Sequence, residues 1–157
     1  MTDRPSDLDR RTKAFKGKGE PPVELPALPS GRTGFRVLLR SYDHWLGETV
    51  AEMQALAQDS ATAGLDVSLR CVRMPLASGA TRHRLDWFLR GEPHAVPYSR
   101  VQSCFSRIPA PLRAYLQQCH SRAKDLNALE SVFRFAASQL AMYLEHGTVK
   151  VRRMDDT

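Results

Sequence analysis

The sequence predicts an α+β fold, mainly α: a long helix, a β-hairpin, a short helix and a long C-terminal helix, the two long helices forming an antiparallel pair with the hairpin. Three observations carry this. Apolar residues recur at spacings of three and four from about Thr33 to Ala63, and again from about Pro111 to Gly147. Between those stretches the period drops to two on either side of the turn signal Ser78-Gly79.

In the first helix, Leu39, Tyr42, Leu46, Val50, Met53 and Ala57 make one apolar stripe. Gly47 weakens that helix without forbidding it, and Gly64 is placed to cap it. Phe35, Val37 and Leu39 alternate, which would also suit a short strand; the helix is preferred. In the hairpin, Val67, Leu69 and Cys71 alternate with Ser68, Arg70 and Val72, and Leu85, Trp87 and Leu89 alternate with Arg84, Asp86, Phe88 and Arg90. Pro75 falls near the end of the first strand, where a missing N–H is tolerable at an edge.

Gly91, Pro93 and Pro97 then punctuate a loop. Val101, Cys104, Phe105 and Ile108 mark a short helix stopped by Pro109, and Pro111 suits the first turn of the next. From there Leu112, Leu116, Cys119, Ala123, Leu126, Leu129, Phe133, Ala136, Leu140 and Tyr143 form an unbroken stripe. It predicts a helix of about 36 residues, ~54 Å long. A domain of this size has a radius of gyration near ~15 Å. The first helix is expected to cover much of the stripe. The remainder either kinks back or meets a second copy through Leu129, Phe133, Leu140 and Tyr143, which gives a homodimer.

Three segments follow: a basic, Pro-rich arm over residues 1–31, a single helix-hairpin-helix domain over 32–147, and a tail of mixed charge over 148–157. The arm carries Pro21, Pro22, Pro26 and Pro29 and few apolar residues. At 157 residues, 42% hydrophobic and 25% charged, the chain has the composition of one ordinary globular domain. No apolar run reaches the ~18 residues of a membrane span, and the N-terminus opens on charged residues, so the expected address is the cytoplasm. Cys71, Cys104 and Cys119 are odd in number and lack disulfide or zinc spacing; they are expected as small buried hydrophobes.

No catalytic or cofactor motif is present: no phosphate loop, no His-Glu-x-x-His, no Gly-x-Ser-x-Gly. Asp43-His44 and Cys119-His120 are neighbours that point apart on a helix. The reading is therefore non-enzymatic, with no cofactor, no metal and no membrane partner. An enzyme assembled from dispersed residues would need a deep pocket with converging titratable groups.

Charge carries the functional signal. Lys and Arg number 23 against 17 Asp and Glu, net +6, and such a balance favours polyanions. The candidate contacts for double-stranded DNA are Lys13, Lys16 and Lys18 on the arm, Arg70, Arg73, Arg82, Arg84 and Arg90 on the hairpin, and Arg100 and Arg107 beyond it. A two-stranded ribbon is narrow enough for a major groove. By contrast, residues 125–146 hold Asp125, Glu130 and Glu145 against only Arg134. The basic end lies near the hairpin and the neutral end is distal.

Several stretches resemble an uncharacterised bacterial family of integrative and conjugative elements, some members of which are labelled integrase regulator R. Phe15-Lys16-Gly17-Lys18-Gly19-Glu20 is similar to its basic N-terminal segment, Val72 through Ser78-Gly79-Ala80-Thr81 to Leu85-Asp86-Trp87 to its hairpin, and Ile108 to Leu144, with Leu126-Asn127, to its last helix. Asp86 stands where a basic residue is expected, and the insert Pro21 to Pro29 departs from the pattern. The resemblance implies a mobile-element setting, with other proteins of the element as partners. The expectation is a DNA-associated accessory or regulatory protein; the rival is a helical protein-interaction adaptor that does not touch DNA.

Overall fold

In the computed structural model, residues 30–147 are described. Helix α1 spans Gly31–Thr62. Strands β1 (Val67–Pro75) and β2 (Thr81–Leu89) follow. A short α2 (Tyr98–Ser103) and a 3-10 turn (Phe105–Arg107) lead into α3 (Ala110–His146). This is the element order read from the sequence. Most of the arm, with Lys13, Lys16 and Lys18, and the tail over 148–157 lie outside the described residues.

The punctuation acts as expected. Gly64 follows the C-cap of α1 with φ +69°, a conformation that side chains with a Cβ resist. Gly79 closes the hairpin turn at φ +80°, its N–H bonded to Leu76 O at 2.9 Å. Helix α3 begins after Pro109 with Pro111 in its first turn, and Gly147 N–H closes its end on Tyr143 O at 2.9 Å.

Unbroken over 37 residues, α3 is about 55 Å long and does not fold back. Its 32-residue partner α1 reaches further toward α3's end than the sequence suggested. Phe35 packs edge-on against Tyr143 at 5.1 Å between ring centres, and Arg32 Nη2 donates to Leu144 O at 3.4 Å. Helix α1 thus lines α3 on one side almost to its C-terminus, so this side of α3 leaves no remainder for a second copy to cover.

The hairpin is antiparallel, with Val67 opposite Leu89, Leu69 opposite Trp87 and Cys71 opposite Leu85. Val67, Leu69, Leu85 and Trp87 are buried against Met53 of α1 and Leu116, Cys119, Ala123 and Leu126 of α3. Val96 and Val101 close the end of this core.

Two strands alone leave two unpaired edges, and such a hairpin is marginal by itself. Both edges are finished by helix side chains. On β1, Leu69 N–H donates to Ser60 Oγ of α1 at 2.8 Å. On β2, Asn127 of α3 accepts Leu85 N–H at 2.8 Å and returns its amide to Leu85 O at 3.0 Å. His83 N–H donates to Glu130 Oε1 at 2.8 Å, and Val96 N–H donates to Trp87 O at 2.8 Å. Replacing Asn127 by Ala strands a part-buried donor and acceptor, so Asn127→Ala is expected to lower unfolding free energy by about 2 kcal/mol, and Ser60→Ala by about 1 kcal/mol. Urea unfolding monitored by tryptophan fluorescence checks both; an Asn127→Ala midpoint equal to wild type would rule out the edge bond as a support.

Candidate functional site

Seven of the candidate DNA contacts fall within the described residues, and the structure does not bring them together as free cations. Four are neutralised. Arg84 pairs with Asp86 at 2.9 Å, Arg90 with Asp66 at 3.1 Å and Arg100 with Glu92 at 2.6 Å. Arg82 donates to Ser131 Oγ at 3.0 Å and stands 3.9 Å from the Glu130 carboxylate. Arg70 lies over the Phe88 ring, its guanidinium carbon 4.4 Å from the centroid, and covers that side chain on the outer face of the hairpin. Arg73 and Arg107 have no ion-pair partner among the described residues, but they lie apart. Arg73 sits opposite His83 on the hairpin, whereas Arg107 lines a cleft with Leu65, Leu89 and Ile108 at the other end.

Sequence reasoning missed a different basic row. Arg32, Arg36 and Arg40 stand four residues apart on α1, all exposed, with no carboxylate partner among the described residues. The first turn of α1 contains no acidic residue. The four-residue spacing was the available signal.

A cleft of about 190 Å³ is lined by Arg84, Asp86, Tyr98, His120 and Lys124, and is smaller than the roughly 300 Å³ at which ligand pockets begin. His120 is stacked on Tyr98 at 3.6 Å and accepts the Trp87 indole N–H on Nδ1 at 3.2 Å. The neutral ring therefore carries its proton on Nε2 and offers a donor, not a base. Burial pushes the Cys119 thiol up from its ordinary value, so it stays protonated at neutral pH beside Tyr115, itself pushed up to about 12 by burial and its bond to Cys119. Among the described residues no three His, Cys, Asp or Glu side chains converge as metal ligands.

The dimer candidates also redistribute. Phe133 packs on Tyr42 and Trp45 of α1, with ring centres 6.2 and 5.7 Å apart, and Tyr143 packs on Phe35. Leu140 is half-buried. Only Leu129 of the four is exposed, at 38%. Two residues off the predicted stripe are far more open: Val132 at 58% and Phe135 at 66%. Trp45 at 44% and Val37 at 57% are exposed on α1.

These side chains share one setting. The hairpin holds α3 by His120, Asn127, Glu130 and Ser131, so Leu129, Val132 and Ala136 lie on the arc turned away from it. Phe135 stands on the outer flank of that arc. Beside them run Val37, Ser41 and Trp45 at four-residue spacing on α1. From Leu126 to Leu144 the only charged residues are Glu130, fully buried, and Arg134, ion-paired to it at 2.6 Å. About five turns of α3 thus present no free charge to solvent. Glu48, Glu52 and Asp125 border the face at one end, with Arg122 Nε bonded to Glu52 at 2.7 Å. No helix among the described residues is long and apolar enough to cross a membrane.

No family model, curated protein or solved structure matches the chain.

Two histidines make stability depend on pH. Burial lowers the His120 pKa below its ordinary 6.5, helped by Lys124. Burial also lowers that of His83, helped by Arg134 and Arg73 and opposed by Glu130. Between the folded and unfolded values the unfolded chain binds more protons, so the stability is complete above about pH 6.5 and is lost as pH falls. Urea midpoints are expected to drop from pH 7.5 to pH 5, and His120→Gln, which keeps an acceptor for Trp87 but does not titrate, should flatten that slope. An unchanged slope would show that His120 does not contribute.

Proposed function

We propose that this chain is a non-enzymatic protein-interaction adaptor whose working surface is the uncharged helix face around Trp45, Leu129, Val132, Phe135 and Ala136. One observation carries the reading: Leu129, Val132 and Phe135 are exposed on a stretch of α3 whose only charges, Glu130 and Arg134, are paired with each other. Such a surface is disfavoured in water, and covering it by another apolar surface is favourable by roughly 25 cal/mol per Å². Nucleic acid and anionic lipid headgroups would find no cation there. A mobile-element setting, and other proteins of that element as partners, remain what the resemblance of the hairpin and last helix implies.

The face is tested by Val132→Asp with Phe135→Asp in one chain. Both residues are exposed, so helical content and unfolding midpoint should stay close to wild type. Binding of the apolar dye ANS should fall severalfold. Equal dye binding by both proteins would remove the support for this surface.

The row Arg32, Arg36 and Arg40 favours a second reading, a DNA-associated accessory protein that meets phosphates through the start of α1. Arg32, in the first turn, opposes the helix dipole, and the three arginines repel one another at four-residue spacing. Phosphates would relieve both effects. On this reading, fluorescence anisotropy with a labelled duplex shows binding at 50 mM salt that weakens by about tenfold or more at 200 mM, and Arg36→Ala with Arg40→Ala weakens it further. Absence of binding at 50 mM salt would end this reading.

A further inference from the structure

We infer that the partner of the uncharged helix face presents an arginine side chain, which enters the groove beside Trp45 and Phe133 and ends on the carboxylate of Glu48. The inference rests on the adaptor reading above and names the partner's chemistry at one end of the face.

The rings supply the first argument. Between α1 and α3 a groove of about 350 Å³ is lined by Trp45, Glu48, Thr49, Glu52 and Phe133, a volume within the range of ligand sites. Phe133 packs on Trp45 at 5.7 Å between ring centres, yet 44% of Trp45 stays open to solvent. An indole is the best aromatic surface for a cation, and arginine occupies such surfaces more often than lysine. Its apolar stem lies along the rings while its charged end stays at the rim.

The polar atoms select the same ligand independently. Thr49 Oγ1 donates its hydrogen to Trp45 O at 2.8 Å, so the hydroxyl has only acceptor capacity left. Apart from the Trp45 indole N–H, the side chains lining the groove therefore offer acceptors, and two of them are carboxylates. A neutral or anionic ligand would leave these without a counter-charge.

The chain itself neutralises only one of the two. Glu48 and Glu52 stand four residues apart on α1, where like charges repel. Arg122 Nε bonds Glu52 at 2.7 Å. Glu48 is exposed and has no ion-pair partner among the described residues. A guanidinium answers a carboxylate with paired N–H donors in one plane, which an ammonium cannot do.

The test is nuclear magnetic resonance of the isotope-labelled full chain titrated with N-acetyl-arginine amide, an exposed contact of this kind being expected to bind in the millimolar range. The Trp45 indole N–H and the amides around Glu48 are expected to shift as one site, while the indole of Trp87, only 4% exposed, stays in place. N-acetyl-citrulline amide, nearly the same in shape but uncharged, should bind at least about threefold more weakly at equal ionic strength, and Glu48→Gln should weaken the arginine probe by about the same factor. Asp43→Asn, which removes an equal charge about 160° round α1 from Trp45, should leave the probe's affinity unchanged. Equal binding of the two probes, or equal affinity of Glu48→Gln and wild type, overturns the inference. If it falls and Val132→Asp with Phe135→Asp still lowers dye binding, the adaptor reading stands and its partner meets the face without a cation. If the arginine probe binds as expected but dye binding does not fall, the groove is an arginine site and the wider face is not the working surface.

Discussion

A two-stranded hairpin has no third strand to satisfy its outer edges, and the architecture depends on how those edges are closed. Ser60 closes one from α1, while Asn127 and Glu130 close the other from α3. Each bond also fixes how its helix is turned about its own axis. With Asn127 directed at β2, Val132 lies about 140° further round α3 and points away from the strands. The exposed apolar face is therefore a consequence of sealing the sheet. Glu130 ties this together: fully buried, it accepts His83 N–H and is ion-paired to Arg134, with Arg82 beyond hydrogen-bond reach at 3.9 Å. A buried carboxylate without those partners would cost several kcal/mol.

Helix lengths, the hairpin and its turn were legible because each rests on a local period or a local breaker. The stripe from Leu112 to Tyr143 and the alternation about Leu85 and Trp87 need no tertiary information. What the period could not show was which arginines would be spent on carboxylates. Arg122 and Glu52 are 70 residues apart in sequence, and Arg82 and Glu130 are 48 apart. Only the fold brings them together. Val132 and Phe135 were missed for a related reason: the stripe was drawn through the residues facing α1, so apolar residues on the other arc did not register. Their signal was the shortage of charge beyond Asp125, which the sequence displays openly. Asn127 and Glu130 were harder, since polar residues on a half-buried helix are usually solvated.

Net charge is a weaker guide here than pairing. Six arginines of the described residues, Arg82, Arg84, Arg90, Arg100, Arg122 and Arg134, engage carboxylates within the chain. Exposed pairs of this kind contribute at most about 1 kcal/mol each, yet they remove cations from any surface offered to a polyanion. The hairpin that looked basic in sequence is close to neutral in space.

The cations at the start of α1 separate the two readings. Arg32 stands in the first turn, at the positive end of the helix dipole, and Arg36 and Arg40 follow at four-residue spacing, so the three repel one another. Their natural complement is negative charge from outside, which a duplex would supply as phosphates. Arg36 lies about 180° round α1 from Trp45, so the arginine row and the apolar face look in different directions and a partner on one does not cover the other. Raising salt should therefore relax binding to the row far more than an association held mainly by apolar contact on the face.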